Sequence, residues 1–199
     1  MSKKYWKNKW SSKNAKPANS FAKRAYILIR KKKLKTVLDL GSGDGRDAIY
    51  FARKGLTVFA FDFSRGGIQK LKKDSPEVKA ILGDIKKLPF KKNSFDVIYA
   101  HLSLHYFTDA ETRRIFNRLH EILKKGGLLF VKCKSTDDAL FGKGAKLAEN
   151  VYRRGHLRHF FSREYTLQQL RKFKVLRIAK TSSVYFRYKS SYIEAIATK

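Results

Sequence analysis

From Val37 onward the chain alternates between two periodicities. Short apolar runs rich in β-branched residues fall at 37–40, 57–61, 78–82, 95–100, 127–133, 175–180 and 192–198, and each predicts a strand. Between them, 44–54, 64–74, 110–124 and 162–173 read as helices, with apolar residues recurring at spacings of three and four in 110–124. In 110–124, Ile115, Phe116, Leu119, Ile122 and Leu123 share one helical face. Lys124-Lys125-Gly126-Gly127 then predicts a basic last turn and a glycine stop. Ser162 is placed to cap the last helix. A further stretch, 21–29, predicts a helix that packs on the rest as an integral cap.

Strands alternating with helices imply a parallel sheet with crossover connections. Only a loop, about 181–191, separates the last two runs, so a hairpin there adds antiparallel strands. The chain is expected to form one domain over 1–199, with 1–35 as a basic N-terminal cap or lid.

Charge changes this picture. Lys and Arg number 46 against 16 Asp and Glu, a formal net charge of +30. A polyanionic partner such as nucleic acid explains the excess, because basic surfaces release counterions from phosphates. A lysine-rich proteome filling solvated positions explains it too, since Lys pairs recur along the whole chain. A lone cysteine, Cys133, excludes an intramolecular disulfide and fits a reducing cytoplasm. No apolar run reaches the roughly 18 residues of a membrane span, and the basic start lacks the pattern of a signal peptide. A soluble, cytoplasmic protein is expected.

The chemistry concentrates after the first strand, in Val37-Leu38-Asp39-Leu40-Gly41-Ser42-Gly43-Asp44-Gly45-Arg46-Asp47. Small residues at Gly41 and Gly43 let backbone approach a ligand, and the following helix aims its N-terminus at the same space. Two more acids end the next two strands. Asp62, within Phe61-Asp62-Phe63, lies about twenty residues after the glycines, where a carboxylate can accept both ribose hydroxyls. Asp84 can accept an adenine amino group while Ile85 packs on the ring.

These residues resemble the class I S-adenosylmethionine (SAM)-dependent methyltransferases, with similarity to the small thiopurine, tellurite and type 11 methyltransferases. VLDLGSGDGRDA is similar to the first family motif and AFDFS to the second, while KKGGLLFVKCKS resembles the fifth strand. The resemblance implies a Rossmann-like, doubly wound α/β fold with a mostly parallel seven-stranded sheet and a C-terminal antiparallel hairpin. It implies that Asp39, Gly41, Ser42, Gly43, Gly45 and Arg46 hold the amino-acid end of SAM. Asp62 and Phe63 would take the ribose, Asp84 and Ile85 the adenine, and Ala100 and His101 the methionine chain. Trp10 and Phe21 resemble the N-terminal lid that closes over the cofactor in the thiopurine and tellurite enzymes, which would put Trp10 at the cofactor, or else they dock the extension by simple hydrophobic packing. S-adenosylhomocysteine would be the product.

Methyl transfer from a sulfonium is an in-line displacement, helped largely by holding nucleophile and methyl carbon in line. His105 and Tyr106, after the fourth strand, are candidates for a base or donor, or else they pack in the turn. Arg153, Arg154, His156, Arg158 and His159 form a cluster in the inserted 134–161 region, suited to an anionic group or to a solvated loop. No metal is expected, because no paired Cys or acid accompanies the histidines. Cys133 is expected to be inert. The acceptor is expected to be a small molecule or metabolite. Transfer to tRNA or rRNA, and a non-catalytic SAM-binding subunit, are the alternatives.

Overall fold

A computed structural model describes residues 17–185 and 188–199. Its main sheet begins with β1 (Thr36–Leu40), β2 (Thr57–Asp62), β3 (Lys79–Leu82), β4 (Phe95–His101) and β5 (Leu123–Lys134). A small separate sheet follows, of β6 (Ala145–Ala148), β7 (Val151–Arg154) and β8 (His156–His159). The chain then returns to the main sheet with β9 (Lys174–Tyr185) and β10 (Tyr188–Thr198). The spatial order of its seven strands is β3-β2-β1-β4-β5-β10-β9. The first five pair in parallel, whereas β10 runs antiparallel to both β5 and β9. This is the predicted sheet and hairpin.

Successive strand residues face opposite sides, and both sides are covered, so the strands read as continuous apolar runs. On one side Val37, Val58 and Val97 pack against α1 (Ser20–Lys31), α2 (Arg46–Arg53) and α3 (Arg65–Asp74). On the other, Leu38, Ile98 and Leu129 pack against Ile115, Phe116, Leu119 and Ile122 of α4 (Asp109–Ile122). A capping box starts α4: the Thr108 hydroxyl accepts from the Glu111 N–H, and the Glu111 carboxylate accepts from the Thr108 N–H.

Several local expectations are revised. Helix α4 stops at Ile122, and Lys124-Lys125-Gly126-Gly127 lies inside β5, with Gly126 in the left-handed region. From its place in β5, Lys124 Nζ donates to Asp96 at 2.8 Å. Residues 134–161, for which the sequence predicts no element, hold the three strands of the small antiparallel sheet. Ser162 does cap α5 (Arg163–Gln169), accepting from the Tyr165 N–H at 3.0 Å, but that helix ends four residues short of the predicted 173. Most of the expected 181–191 loop is strand, so the hairpin is long.

Phe21 is a core residue and not a lid. It is 2% exposed and packs edge-on against Phe130, with Tyr99 at 5.5 Å. Full burial of such a ring stabilises by about 1.5–3 kcal/mol. Trp10 lies outside the described residues. Among the described residues, no helix is long and apolar enough to cross a membrane.

Candidate active site

At the carboxyl ends of β1, β2, β3 and β4 lies a cavity of about 610 Å³. The chain turns sharply out of β1 at Gly41, whose φ is +79°. A Cβ there would stand 2.3 Å from the Ser103 Cβ, and Ser103 itself donates to the Leu40 carbonyl at 2.5 Å. Glycine is therefore required at 41 by the loop after β4 as well as by any ligand. Gly45, also at positive φ, opens α2, and a Cβ there would meet the Leu71 side chain.

Of the residues expected to bind cofactor, Gly41, Arg46, Asp62, Phe63, Asp84, Ile85 and His101 line this cavity. Asp39, Ser42, Gly43, Gly45 and Ala100 do not, and stand behind the wall. Asp39 is buried; its carboxylate accepts from the Ala48 N–H, which ties β1 to α2. Burial, then the charges of Asp47 and Asp62, push its carboxyl well above the usual range. The Ser42 hydroxyl is buried without a hydrogen-bond partner.

Asp62 is held on both oxygens. Oδ2 accepts from the Gly43 N–H at 2.9 Å and Oδ1 from the Ser64 N–H at 2.7 Å. Burial raises its carboxyl above the ordinary value, although the backbone donors of Ser64, Gly43 and Phe63 oppose this. Asp84 accepts from the Lys86 N–H at 2.9 Å, which starts a short helical turn, Ile85–Lys87. Leu82, Ile85 and Phe107 supply apolar wall between the two acids and the loop after β4. Arg65, Lys86, Ser103 and Glu111 also line the cavity and were not anticipated. Lys86 and Glu111 pair at 3.4 Å, a contact across a long stretch of chain that only the fold brings together.

The two residues expected to serve catalysis separate. Tyr106 lines the cavity, but His105 is 1% exposed and lies beneath it, in the turn Leu104–Tyr106. Burial, then Lys134 and Arg158, drives the His105 imidazole well below its usual pKa, and its Nδ1 has no partner. His105 is neutral and shielded, unlike a placed base. His101 is held down to about 3 by burial, then by Arg46 and Lys132, so it too is neutral.

The histidine-arginine cluster divides as well. His156 and His159 are buried, while Arg153 and Arg154 are exposed. His156 packs on Tyr106 with ring centroids 5.3 Å apart, so β8 roofs the turn after β4. Cys133 is completely buried, and burial pushes its thiol far up, away from the reactive thiolate. Among the described residues no group of three or more His, Cys, Asp or Glu could hold a metal.

An open α/β sheet thus brings a glycine turn after β1 and carboxylates at the ends of β2 and β3 to one cavity. Residues 37–127, a little under half of the chain, match the family model described as a methyltransferase domain. It is 34% identical over 92 residues to an uncharacterized methyltransferase of Synechocystis sp., covering 46% of this chain and 43% of the relative. It is also 34% identical over 95 residues to the demethylmenaquinone methyltransferase of Streptomyces avermitilis, covering 48% and 40%. These matches span less than half the length of either relative. Among solved structures, the fold is similar to that of Burkholderia thailandensis 1,6-didemethyltoxoflavin-N1-methyltransferase with bound 1,6-didemethyltoxoflavin and S-adenosylhomocysteine. That likeness has a TM-score of 0.70 at 21% identity and covers 90% of this chain and 78% of the other.

Proposed function

We propose that this protein transfers a methyl group from SAM to a small-molecule acceptor. The observation that carries the reading is the convergence of Asp62, Asp84, Ile85 and Gly41 on one cavity. The donor set fits the cofactor. Each Asp62 oxygen keeps a lone pair beyond its backbone bond, enough for a ribose diol. Asp84 offers an acceptor for an amino group beside the apolar Ile85. Arg46 and His101 are left for the amino-acid end, with Asp39, Ser42, Gly43, Gly45 and Ala100 shaping the loop and strand behind them.

SAM would supply an electrophilic methyl on a sulfonium. The chain's own contribution is to orient the two reactants and exclude water. Its lining histidine is a weak base, so the site favours acceptors whose nucleophilic atom is already unprotonated near neutral pH. Tyr106 is the residue we place beside the acceptor. A small-molecule acceptor agrees with the names of the demethylmenaquinone and didemethyltoxoflavin relatives.

A tRNA or rRNA acceptor is a second reading, favoured by one observation. Residues 1–35 hold 13 of the 46 Lys and Arg and none of the 16 Asp and Glu, an asymmetry that a uniform lysine bias does not produce. Calorimetric titration with S-adenosylhomocysteine, then with bulk tRNA at low and moderate salt, tests both. Micromolar nucleoside binding is expected; a folded sample that binds none sinks the methyltransferase reading. Salt-sensitive tRNA binding would move the acceptor search to RNA.

A further inference from the structure

Asp47, in the first turn of α2, is only 5% exposed, yet it lies outside the cavity. Its Oδ1 accepts from the Asn19 backbone N–H at 3.1 Å, and its Oδ2 accepts from the Asn19 side-chain amide. The Tyr99 hydroxyl stands 3.2 Å from both Asp47 Oδ2 and Asn19 Oδ1. Asn19 in turn caps α1, its Oδ1 accepting from the Ala22 N–H at 2.9 Å. One buried carboxylate thus joins the start of α1, the start of α2 and the middle of β4.

Each arm of this network ends next to the cavity wall. Arg46, the chain neighbour, places Nε 3.7 Å from Asp47 Oδ1. The Tyr99 ring lies parallel to that of His101, 5° between planes and 6.3 Å between centroids. Phe21 of α1 leans on both rings, at 5.5 and 6.4 Å. Arg46 and His101 both line the cavity. A buried carboxylate is a costly way to dock a helix, since apolar packing usually stabilises as well or better. Its value lies in directionality: hydrogen bonds fix positions that hydrophobic contact leaves free.

We infer that Asp47 is a positioning residue for cofactor binding, which locks the cap of α1 to α2 and β4 and so fixes Arg46 and His101 at the wall. The inference rests on the SAM reading above. It makes docking of α1 and occupation of the cavity thermodynamically coupled, each strengthening the other.

The test is an exchange of partners. In Asp47→Asn, the amide oxygen can still serve the Asn19 N–H, but the introduced amide nitrogen then meets the Asn19 side-chain nitrogen, donor against donor. Adding Asn19→Asp restores complementarity: the new carboxylate accepts from the amide at position 47, from Tyr99 and from the Ala22 N–H, and remains a good cap. The affinity for S-adenosylhomocysteine and the melting temperature are measured for the unsubstituted protein and both variants, with binding read well below melting. Asp47→Asn is expected to weaken binding about tenfold, within the usual span of coupling between sites, and the double variant to recover most of it. A lower melting temperature with unchanged affinity would mean that Asp47 only anchors α1, and would overturn the inference. So would a double variant that recovers stability but not affinity. If the unsubstituted protein binds no S-adenosylhomocysteine, the cofactor reading itself falls, and this inference with it.

Discussion

The backbone N–H of Gly43 donates to Asp62 Oδ2 at 2.9 Å, so the glycine turn after β1 is fastened to the end of β2 by the carboxylate assigned to the ribose. The same group therefore shapes the loop and presents its remaining lone pairs to the cavity. Asp62→Ala removes both functions. Hydrogen bonds to a charged group contribute about 1.5–3 kcal/mol each, so a loss of about one hundredfold or more in S-adenosylhomocysteine affinity is expected, with some loss of melting temperature. Asp62→Asn keeps one acceptor but turns its amide nitrogen toward the N–H of Gly43 or of Ser64, so it should lose about tenfold in affinity and some melting temperature as well. Affinity unchanged in both variants would remove Asp62 from the site.

Burial sets the pH response of that binding. Because the Asp62 carboxyl is raised in the folded protein, it takes up a proton at higher pH than an exposed aspartate does. Protonation removes the charge and turns one lone pair into an O–H donor, so the carboxyl accepts more weakly from the ribose hydroxyls. As pH is lowered from neutral, affinity for S-adenosylhomocysteine should thus begin to fall before the ordinary carboxylate range near about pH 4 is reached. Titrations across that interval check this, and Asp62→Asn should flatten the profile. A steep profile that survives in Asp62→Asn would assign the titration to another group.

Asp96 holds the far ends of three strands together. It accepts from the Thr36 N–H at 2.8 Å and from the Thr36 hydroxyl at 2.7 Å, and it pairs with Lys124 at 2.8 Å. Partial burial alone would raise its carboxyl, but Lys124, Thr36 and Lys35 outweigh it and hold the group down to about 2. A depressed carboxyl stabilises above its unfolded pKa, and that contribution is lost as pH falls from about 4 to about 2. With Lys124 half in solvent, the contribution is about 1–2 kcal/mol. Asp96→Asn should therefore lower the melting temperature by several degrees near neutral pH, with the difference from the unsubstituted protein vanishing near pH 2. An equal deficit at both pH values would show that charge is not the cause.

Cys133 sits at the end of β5 facing the α4 side of the core, with no exposed surface. Its thiol is raised by burial and does not reach the cavity wall. Cys133→Ala should keep cofactor affinity and any acceptor turnover within about threefold, at a stability cost of about 1 kcal/mol for the small void. Turnover abolished in a folded, cofactor-binding variant would restore a covalent role.

The alternation of strands and helices, the glycine turn after Leu40 and the acids at Asp62 and Asp84 are all legible along the chain. So is the antiparallel ending. Each depends on neighbours in sequence: side-chain period, β-branching, a turn residue, an acid at a strand end. An exception is the boundary at Leu123, where the helix gives way directly to β5 two residues before the predicted end. Residues 134–161 hide their small sheet because four-residue strands carry too few alternations to register.

What only the tertiary structure decided is which side chains meet. His105 and Tyr106 are adjacent and equally plausible from sequence, yet one is sealed under the cavity and the other lines it, because β8 packs against that turn. Asn19, Asp47 and Tyr99 carry no shared motif, and Lys86 meets Glu111 with the whole of β4 between them in sequence. Periodicity fixes which way a residue faces along its own element. Its partner across the sheet depends on how helices and strands settle against one another, and that is set by close packing over the whole core.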